Sequence, residues 1–243
     1  MTAIAVVTGA ASGIGRAVAR KLAEDGFDTA LLDLNEATET AAEITALGRR
    51  AIACRADVTD RATIEAARTR IHAELGRPTA LVNCAGWSVI QPFLENDAAF
   101  WDKAIDVNLM GTITVTRVFL DDFLAAGVGR VVLIASDAGR VGSTGEVVYS
   151  AAKGGVMGFT KALAREMARK GITVNCVCPG PTATPMLLVQ HEKRIDALIR
   201  AIPMRRLAEP ADIAGAVAYF ASPGASYVTG QILSVSGGLT MSG

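Results

Sequence analysis

The chain has 243 residues, 51% of them apolar, and a mean hydropathy of +0.35. That supports a sizeable core and excludes a disordered chain. Lys+Arg and Asp+Glu balance at 24 each, which argues against nucleic acid or an anionic membrane as the main partner.

Cys54, Cys84, Cys176 and Cys178 form no CxxC pair and have no metal-ligand spacing with the two histidines. No metal is expected, and reduced thiols fit a cytoplasmic protein. No signal sequence is expected before the first strand, and no apolar run approaches the ~20 residues of a membrane span. Residues 3–8 (AIAVVT) are a continuous apolar run bounded by glycine, the pattern of a buried parallel strand. Gly9, Ser12, Gly13, Ile14 and Gly15 make a glycine-rich turn, after which Ala17, Val18, Leu22 and Ala23 recur at helical spacing. Strand, turn and helix together present free backbone N–H groups to a pyrophosphate. A second strand, DTALLD, ends in Asp33. Its carboxylate can accept hydrogen bonds from both ribose hydroxyls and repels a 2′-phosphate. Neither Ser12 nor Leu34 is basic, so NAD is expected rather than NADP.

A helix over 36–47, a strand over 50–55 and a helix over about 60–75 come next. Asp57 and Val58 follow that strand, where an adenine can dock on Val58 and donate its amine to Asp57. The run 79–86 is a fourth strand closing on Ala85 and Gly86, small enough for backbone to approach a cofactor. Asn83, polar at the end of an apolar strand, is either a tie between elements or a cofactor contact. Residues 97–124 read as one long helix. Asn108 in its middle and Gly111 beyond it are poor helix formers, and predict a kink or bulge carrying a functional amide.

Residues 130–135 form the fifth strand and deliver Ser136 to its carboxyl end, the edge where ligands bind in open α/β sheets. Tyr149-x-x-x-Lys153 then opens a helix whose apolar stripe runs through Ala152, Val156, Phe159, Leu163 and Met167. Residues i and i+4 share a face, so phenol and ammonium converge. A lysine charge ~4 Å away is worth roughly 4 kcal/mol at an effective dielectric near 20. That lowers a phenol from about 10 by up to about three units, into the range of general acid–base work. Ser136 would hold the oxygen being protonated.

The strand 172–178 sets Cys176 and Cys178 on one buried face and leads to Pro179, Gly180, Thr182 and Thr184 in a proline-rich, irregular loop. A mobile amphipathic helix over 186–200 and another over 210–221 precede a last strand at 231–235. Seven strands alternating with helices give an α/β fold, a single-domain (1–243), Rossmann-type doubly wound parallel sheet with helices on both faces.

Taken together, the residues resemble the short-chain dehydrogenase/reductase family from end to end. That family's TGxxxGIG stands here as Thr8-Gly9-x-x-x-Gly13-Ile14-Gly15, and its NNAG motif as Asn83-Cys84-Ala85-Gly86, with cysteine for the second asparagine. Asn108, Ser136, Tyr149 and Lys153 match its catalytic tetrad in order and spacing, and Pro179-Gly180 with Thr182 and Thr184 its nicotinamide loop. The resemblance implies hydride transfer between a secondary alcohol and a ketone. Tyr149 would exchange the hydroxyl proton and Ser136 position the oxygen. Lys153 would hold the nicotinamide ribose and lower the tyrosine pKa, and Asn108 would anchor a water. Trp87, Ala138, Val141, Glu146, Met186 and Leu187, with Ser136 and Tyr149, would line the substrate side, the segment 186–205 setting substrate size. Arg140 is either a contact for a CoA phosphate or an exposed arginine with no ligand. Assembly as a dimer or, more specifically, a homotetramer through 97–124, 149–170 and 231–235 is also implied. Within the family the chain is more similar to members acting on 2-hydroxycyclohexanecarboxyl-CoA and 3-oxoacyl thioesters. A β-hydroxyacyl-CoA or a cyclic or aromatic secondary alcohol is therefore the expected substrate. The alternatives are a carbonyl reductase of free ketones and a non-catalytic NAD-sensing scaffold.

Overall fold

Short runs of small and β-branched residues, each stopped by glycine or a polar turn, become seven strands in the computed structural model, which describes residues 3–241. They are β1 (Ile4–Thr8), β2 (Asp28–Asp33), β3 (Ala51–Arg55), β4 (Ala80–Asn83), β5 (Gly129–Ile134), β6 (Ile172–Pro179) and β7 (Ile232–Val235). All pair in parallel, in the order β3-β2-β1-β4-β5-β6-β7. The order reverses direction between β1 and β4. There the connections leave for opposite faces and a crevice opens at the carboxyl ends of the strands.

Between the strands run α1 (Gly13–Glu24), α2 (Thr38–Ala46), α3 (Arg61–Glu74), α4 (Ala98–Ile105) and α5 (Gly111–Ala126). Then come α6 (Ala138–Val141), α7 (Val147–Met167), α8 (Pro185–Leu188), α9 (Glu192–Ala201) and α10 (Pro210–Ala221). Strand alternation splits the core into two layers. Val6, Leu32, Leu81 and Leu133 pack with Ile64 of α3, Phe119 of α5 and Val156 of α7. Val7, Leu31, Val82 and Val132 face Leu22 of α1, Ile44 of α2 and Val217 of α10. Cys176 and Cys178 are both buried, their sulfurs 3.9 Å apart, as the alternation along β6 requires.

The long helix expected over 97–124 is interrupted. Asp106–Met110 form a π-helical turn between α4 and α5. The extra residue turns Asn108, wholly buried, toward the sheet. The single helix expected over 186–200 is instead two, α8 and α9, because the chain unwinds from Val189 to His191 and restarts where His191 Nδ1 accepts the Lys193 N–H at 3.2 Å. Among the described residues, no helix is long and apolar enough to cross a membrane.

One buried charge joins α3 to α5. Asp122, with no exposed surface, accepts two hydrogen bonds from Arg68 (2.7 and 2.9 Å) and one from Arg77 (2.9 Å), and His72 Nε2 lies 3.0 Å away. Burial works to raise its pKa, but the hydrogen bonds from Arg68, with His72 close by, outweigh it and hold the carboxyl below its usual value. Asp122→Ala is expected to cost about 2–4 kcal/mol at neutral pH, because Arg68 and Arg77 lose the buried anion they share. A depressed carboxyl contributes stability that is present above the unfolded pKa of 3.8 and is lost as pH falls through the lower folded value. Urea melts of both proteins should therefore converge below that pH, and a gap that stays constant into acid would contradict this account.

Candidate active site

The carboxyl ends of the strands open onto one cavity of about 800 Å³. At its floor, Gly9 and Gly13 take φ of 65° and 53°, and a Cβ on Gly15 would run into the Gly9 carbonyl oxygen. That close approach lets α1 start directly behind the turn, with its first N–H groups at the cavity wall. Thr8 Oγ1 accepts the N–H of both Cys84 and Ala85 at 3.1 Å and so locks the ends of β1 and β4 together.

Two carboxylates mark the end of the cavity beside β2 and β3. Asp33 accepts the Ala11 N–H (3.0 Å) on one oxygen and the Asn35 N–H (2.9 Å) on the other. Asp57 accepts the N–H and hydroxyl of Thr59 at 2.8 and 2.7 Å. Arg16, the first base after the glycine turn, is bonded away from the cavity to Glu39 and Glu43. Leu34 and Val58 complete this end, while Ser12, Ile14, Ala85, Gly86, Pro179, Gly180, Thr182 and Thr184 line the stretch toward β6. The loop after β6 folds back over the turn, bringing the Thr184 methyl beside Gly13. A dinucleotide fits this cradle. It needs open glycine backbone at a helix N-terminus and a carboxylate for the ribose, and both are present.

Asn83 is the exception among the expected cofactor residues. It lies off the cavity, and its amide nitrogen donates to Thr116 Oγ1 (3.0 Å) and the Thr112 carbonyl (3.4 Å). It ties β4 to α5, since a buried amide must find partners within the fold.

One wall carries Ser136, Tyr149 and Lys153. Ser136 Oγ accepts the Ala138 N–H at 3.1 Å and faces Tyr149. Lys153, 3% exposed, donates to the Ile134 carbonyl at 2.9 Å and lies 5.7 Å from the Tyr149 ring centroid. The expected depression of the tyrosine pKa is not found. Burial raises it, the Ser136 hydrogen bond lowers it less, and the Glu146 carboxylate adds to the rise. Burial also holds the Lys153 amine down to about 8, so at both groups desolvation outweighs the stabilisation a nearby charge can give. Helical spacing foretold the shared face but not the cost of burial. Asn108 stands behind this wall. It donates to the carbonyls of Trp87 (2.7 Å) and Ala104 (2.9 Å) and accepts the Trp87 N–H (3.1 Å). Both of its N–H bonds are therefore spent on protein, and its side chain positions Trp87.

Trp87, Ala138, Val141, Glu146, Met186 and Leu187 also line the cavity. Glu146 accepts from Ser88 (2.6 Å) and Ser143 (2.7 Å). Arg140 does not reach the cavity. It donates to the Ile232 carbonyl at 2.8 Å and approaches Asp137 at 3.8 Å. Sequence reasoning missed Lys103, whose ammonium sits 4.5 Å over the Trp87 ring, and Arg194 of α9. Neither belongs to a local motif, so only the folded chain brings them here.

A glycine cradle at a topological switch point, sharing one cavity with a hydroxyl pair and a buried amine, defines an oxidoreductase that uses a nicotinamide dinucleotide. The family model described as Enoyl-(Acyl carrier protein) reductase matches residues 9–240. Nodulation protein G of Azospirillum brasilense is 41% identical over 97% of this chain and 97% of that one. The acetoacetyl-CoA reductase of Allochromatium vinosum is 39% identical over 99% of this chain and 100% of that one. The (3R)-3-hydroxyacyl-CoA dehydrogenase of Homo sapiens is 38% identical over 99% and 96%. A crystal structure of a variant actinorhodin polyketide ketoreductase with NADPH superposes with a TM-score of 0.94 at 38% identity, covering 98% of this chain and 97% of that one. The chain belongs to the short-chain dehydrogenase/reductase family, oxidoreductases of CH–OH groups.

Gly15→Ala should weaken NADH binding by about tenfold or more in calorimetry, while far-UV circular dichroism still shows a folded chain. Unchanged affinity would contradict the cradle described above.

Proposed function

We propose that the chain interconverts a secondary alcohol and a ketone with NAD(H), acting on a β-hydroxyacyl-CoA or a similar cyclic or aromatic hydroxy compound. The observation that carries this is Ser136, Tyr149 and, one helical turn behind it, Lys153, all lining the same cavity as the glycine turn. Bound NAD(H) supplies or accepts the hydride. Tyr149, whose proton burial holds in place, donates it to the substrate oxygen during reduction and takes it back during oxidation. Ser136 fixes that oxygen by hydrogen bonding. Lys153 is placed to hold the nicotinamide ribose, and Asn108 positions the Trp87 backbone beside it.

NAD is favoured over NADP because Asp33 and Asp57 line the cavity beside β2 and β3, and Arg16 is engaged elsewhere. The thioester substrate is supported by the relatives named acetoacetyl-CoA reductase and (3R)-3-hydroxyacyl-CoA dehydrogenase. A second reading, reduction of free ketones, is favoured by the apolar side chains Ile90, Val107, Val141 and Leu198 in the lining. We further propose that residues 1–243 act as one domain, with 186–205 shaping the substrate end. Assembly as a homotetramer is supported by exposed apolar groups on α4–α5 (Trp101, Met110) and β7 (Leu233). A cytoplasmic location is supported by four free thiols.

The test is a matched steady-state assay with NAD and NADP on acetoacetyl-CoA, a 2-hydroxycyclohexanecarboxyl-CoA and a simple alcohol such as cyclohexanol. The expected result is a kcat/KM advantage of about tenfold or more for the thioester with NAD(H). Equal turnover of the free alcohol would move the function to the second reading. Asp33→Ala should shrink the NAD/NADP ratio by about tenfold or more, and an unchanged ratio would overturn the role given to Asp33.

A further inference from the structure

The charged side chains that line the cavity divide into those with partners and one without. Asp33, Asp57 and Glu146 accept from neighbouring N–H or hydroxyl groups. Asp137 accepts from Ser234 at 2.8 Å, Lys153 donates to the Ile134 carbonyl, and Lys103 lies over the Trp87 ring. Arg194 has no side-chain partner among the described residues, and its Nε is buried without an acceptor.

That is a costly state for a guanidinium, because a buried N–H without an acceptor loses its hydration with nothing in return. The helix around it explains why nothing in the fold compensates. Arg194 shares the cavity-facing side of α9 with Leu198, four residues on, where the helix is apolar. Its helix neighbours Glu192 and Asp196 are two residues away in each direction and project elsewhere. The same α8–α9 segment supplies Met186, Leu187 and Gln190 to the lining, so the arginine sits within the wall assigned to the substrate. The dinucleotide phosphates already have the glycine turn and the N-terminus of α1.

We propose that Arg194 is the anion anchor of the substrate site: its guanidinium receives an oxyanion carried by the substrate, either a phosphate of a thioester carrier or a carboxylate of the acyl part. The inference rests on the hydroxyacyl reading above and gives it a specificity-determining residue. A planar fork of N–H donors matches either oxyanion in paired, charge-assisted hydrogen bonds, and engaging one would satisfy the buried Nε. Lysine, a point charge without that fork, can replace it only in part.

The experiment compares wild type, Arg194→Gln and Arg194→Lys on four ketones sharing one acyl group. These are acetoacetyl-CoA, the uncharged acetoacetyl-N-acetylcysteamine, acetoacetate and uncharged ethyl acetoacetate. For Arg194→Gln the expected result is a KM about tenfold higher for an anionic substrate, with kcat nearly unchanged. The uncharged ketones and NADH affinity should stay within about twofold, and Arg194→Lys should recover part of the loss. A loss confined to acetoacetyl-CoA assigns the carrier phosphate, and one confined to acetoacetate assigns the carboxylate; both support the anchor. Equal losses on charged and uncharged ketones, or a loss in NADH affinity, overturn it. Binding of coenzyme A and of acetoacetate, followed by tryptophan fluorescence, reads the same site without turnover. If wild type reduced none of the four ketones, the reading as a ketone reductase would fall, while equal binding of both anions by wild type and Arg194→Gln would still overturn the anchor.

Discussion

The site depends on a single buried contact, the Lys153 amine against the Ile134 carbonyl. It pins the first turns of α7 to the carboxyl end of β5, and thereby sets Tyr149 of the helix beside Ser136, two residues past the strand. Such a contact requires α7 to approach closely. Gly139 permits this, since a Cβ there would meet the Gly154 nitrogen at 2.6 Å. Burying an amine is costly, and the cost appears as a Lys153 held down to about 8. The same low-dielectric wall keeps the tyrosine proton in place. In the proposed reaction the pair would therefore act as a held proton donor beside a positioning hydroxyl, with the lysine fixing the helix that carries the tyrosine.

Charge divides the cavity along its length. Asp33 and Asp57 stand beside β2 and β3, where a 2′-phosphate would be repelled, while Lys103 and Arg194 stand among the substrate-side residues. A ligand lying along the crevice thus meets only carboxylates beside β2 and β3, and both signs of charge, with Glu146 beside Lys103 and Arg194, on the substrate side.

The sheet was legible in the sequence because its inner strands, β2, β1, β4, β5 and β6, are buried on both faces and read as apolar runs closed by a turn. The glycine turn, Asp33 and the Tyr149–Lys153 spacing were legible because each is local: a few residues fix the geometry. Asn108 was partly so. Its poor helix propensity marked a bulge, which the π-helical turn provides, but not that its amide would be consumed by Trp87 and Ala104. Asn83 remained open between two roles, and tertiary packing against Thr116 resolved it. The break at Val189 to His191 was hidden because 186–200 keeps one amphipathic pattern across the gap. The Tyr149 pKa was misjudged because a pair distance can be guessed from helical spacing, whereas burial is a property of the whole fold. Arg194 and Lys103 carry no local signature.

The account stands most directly on the proton held by Tyr149, and the measurement that tests it is the Tyr149→Phe variant assayed for both turnover and cofactor binding. Removing one hydroxyl leaves the ring packing and the glycine cradle in place. The variant should bind NADH within about twofold of wild type while kcat falls by about 10³ or more. A variant that keeps more than about a tenth of the wild-type kcat would contradict the account and place the proton donor elsewhere in the cavity.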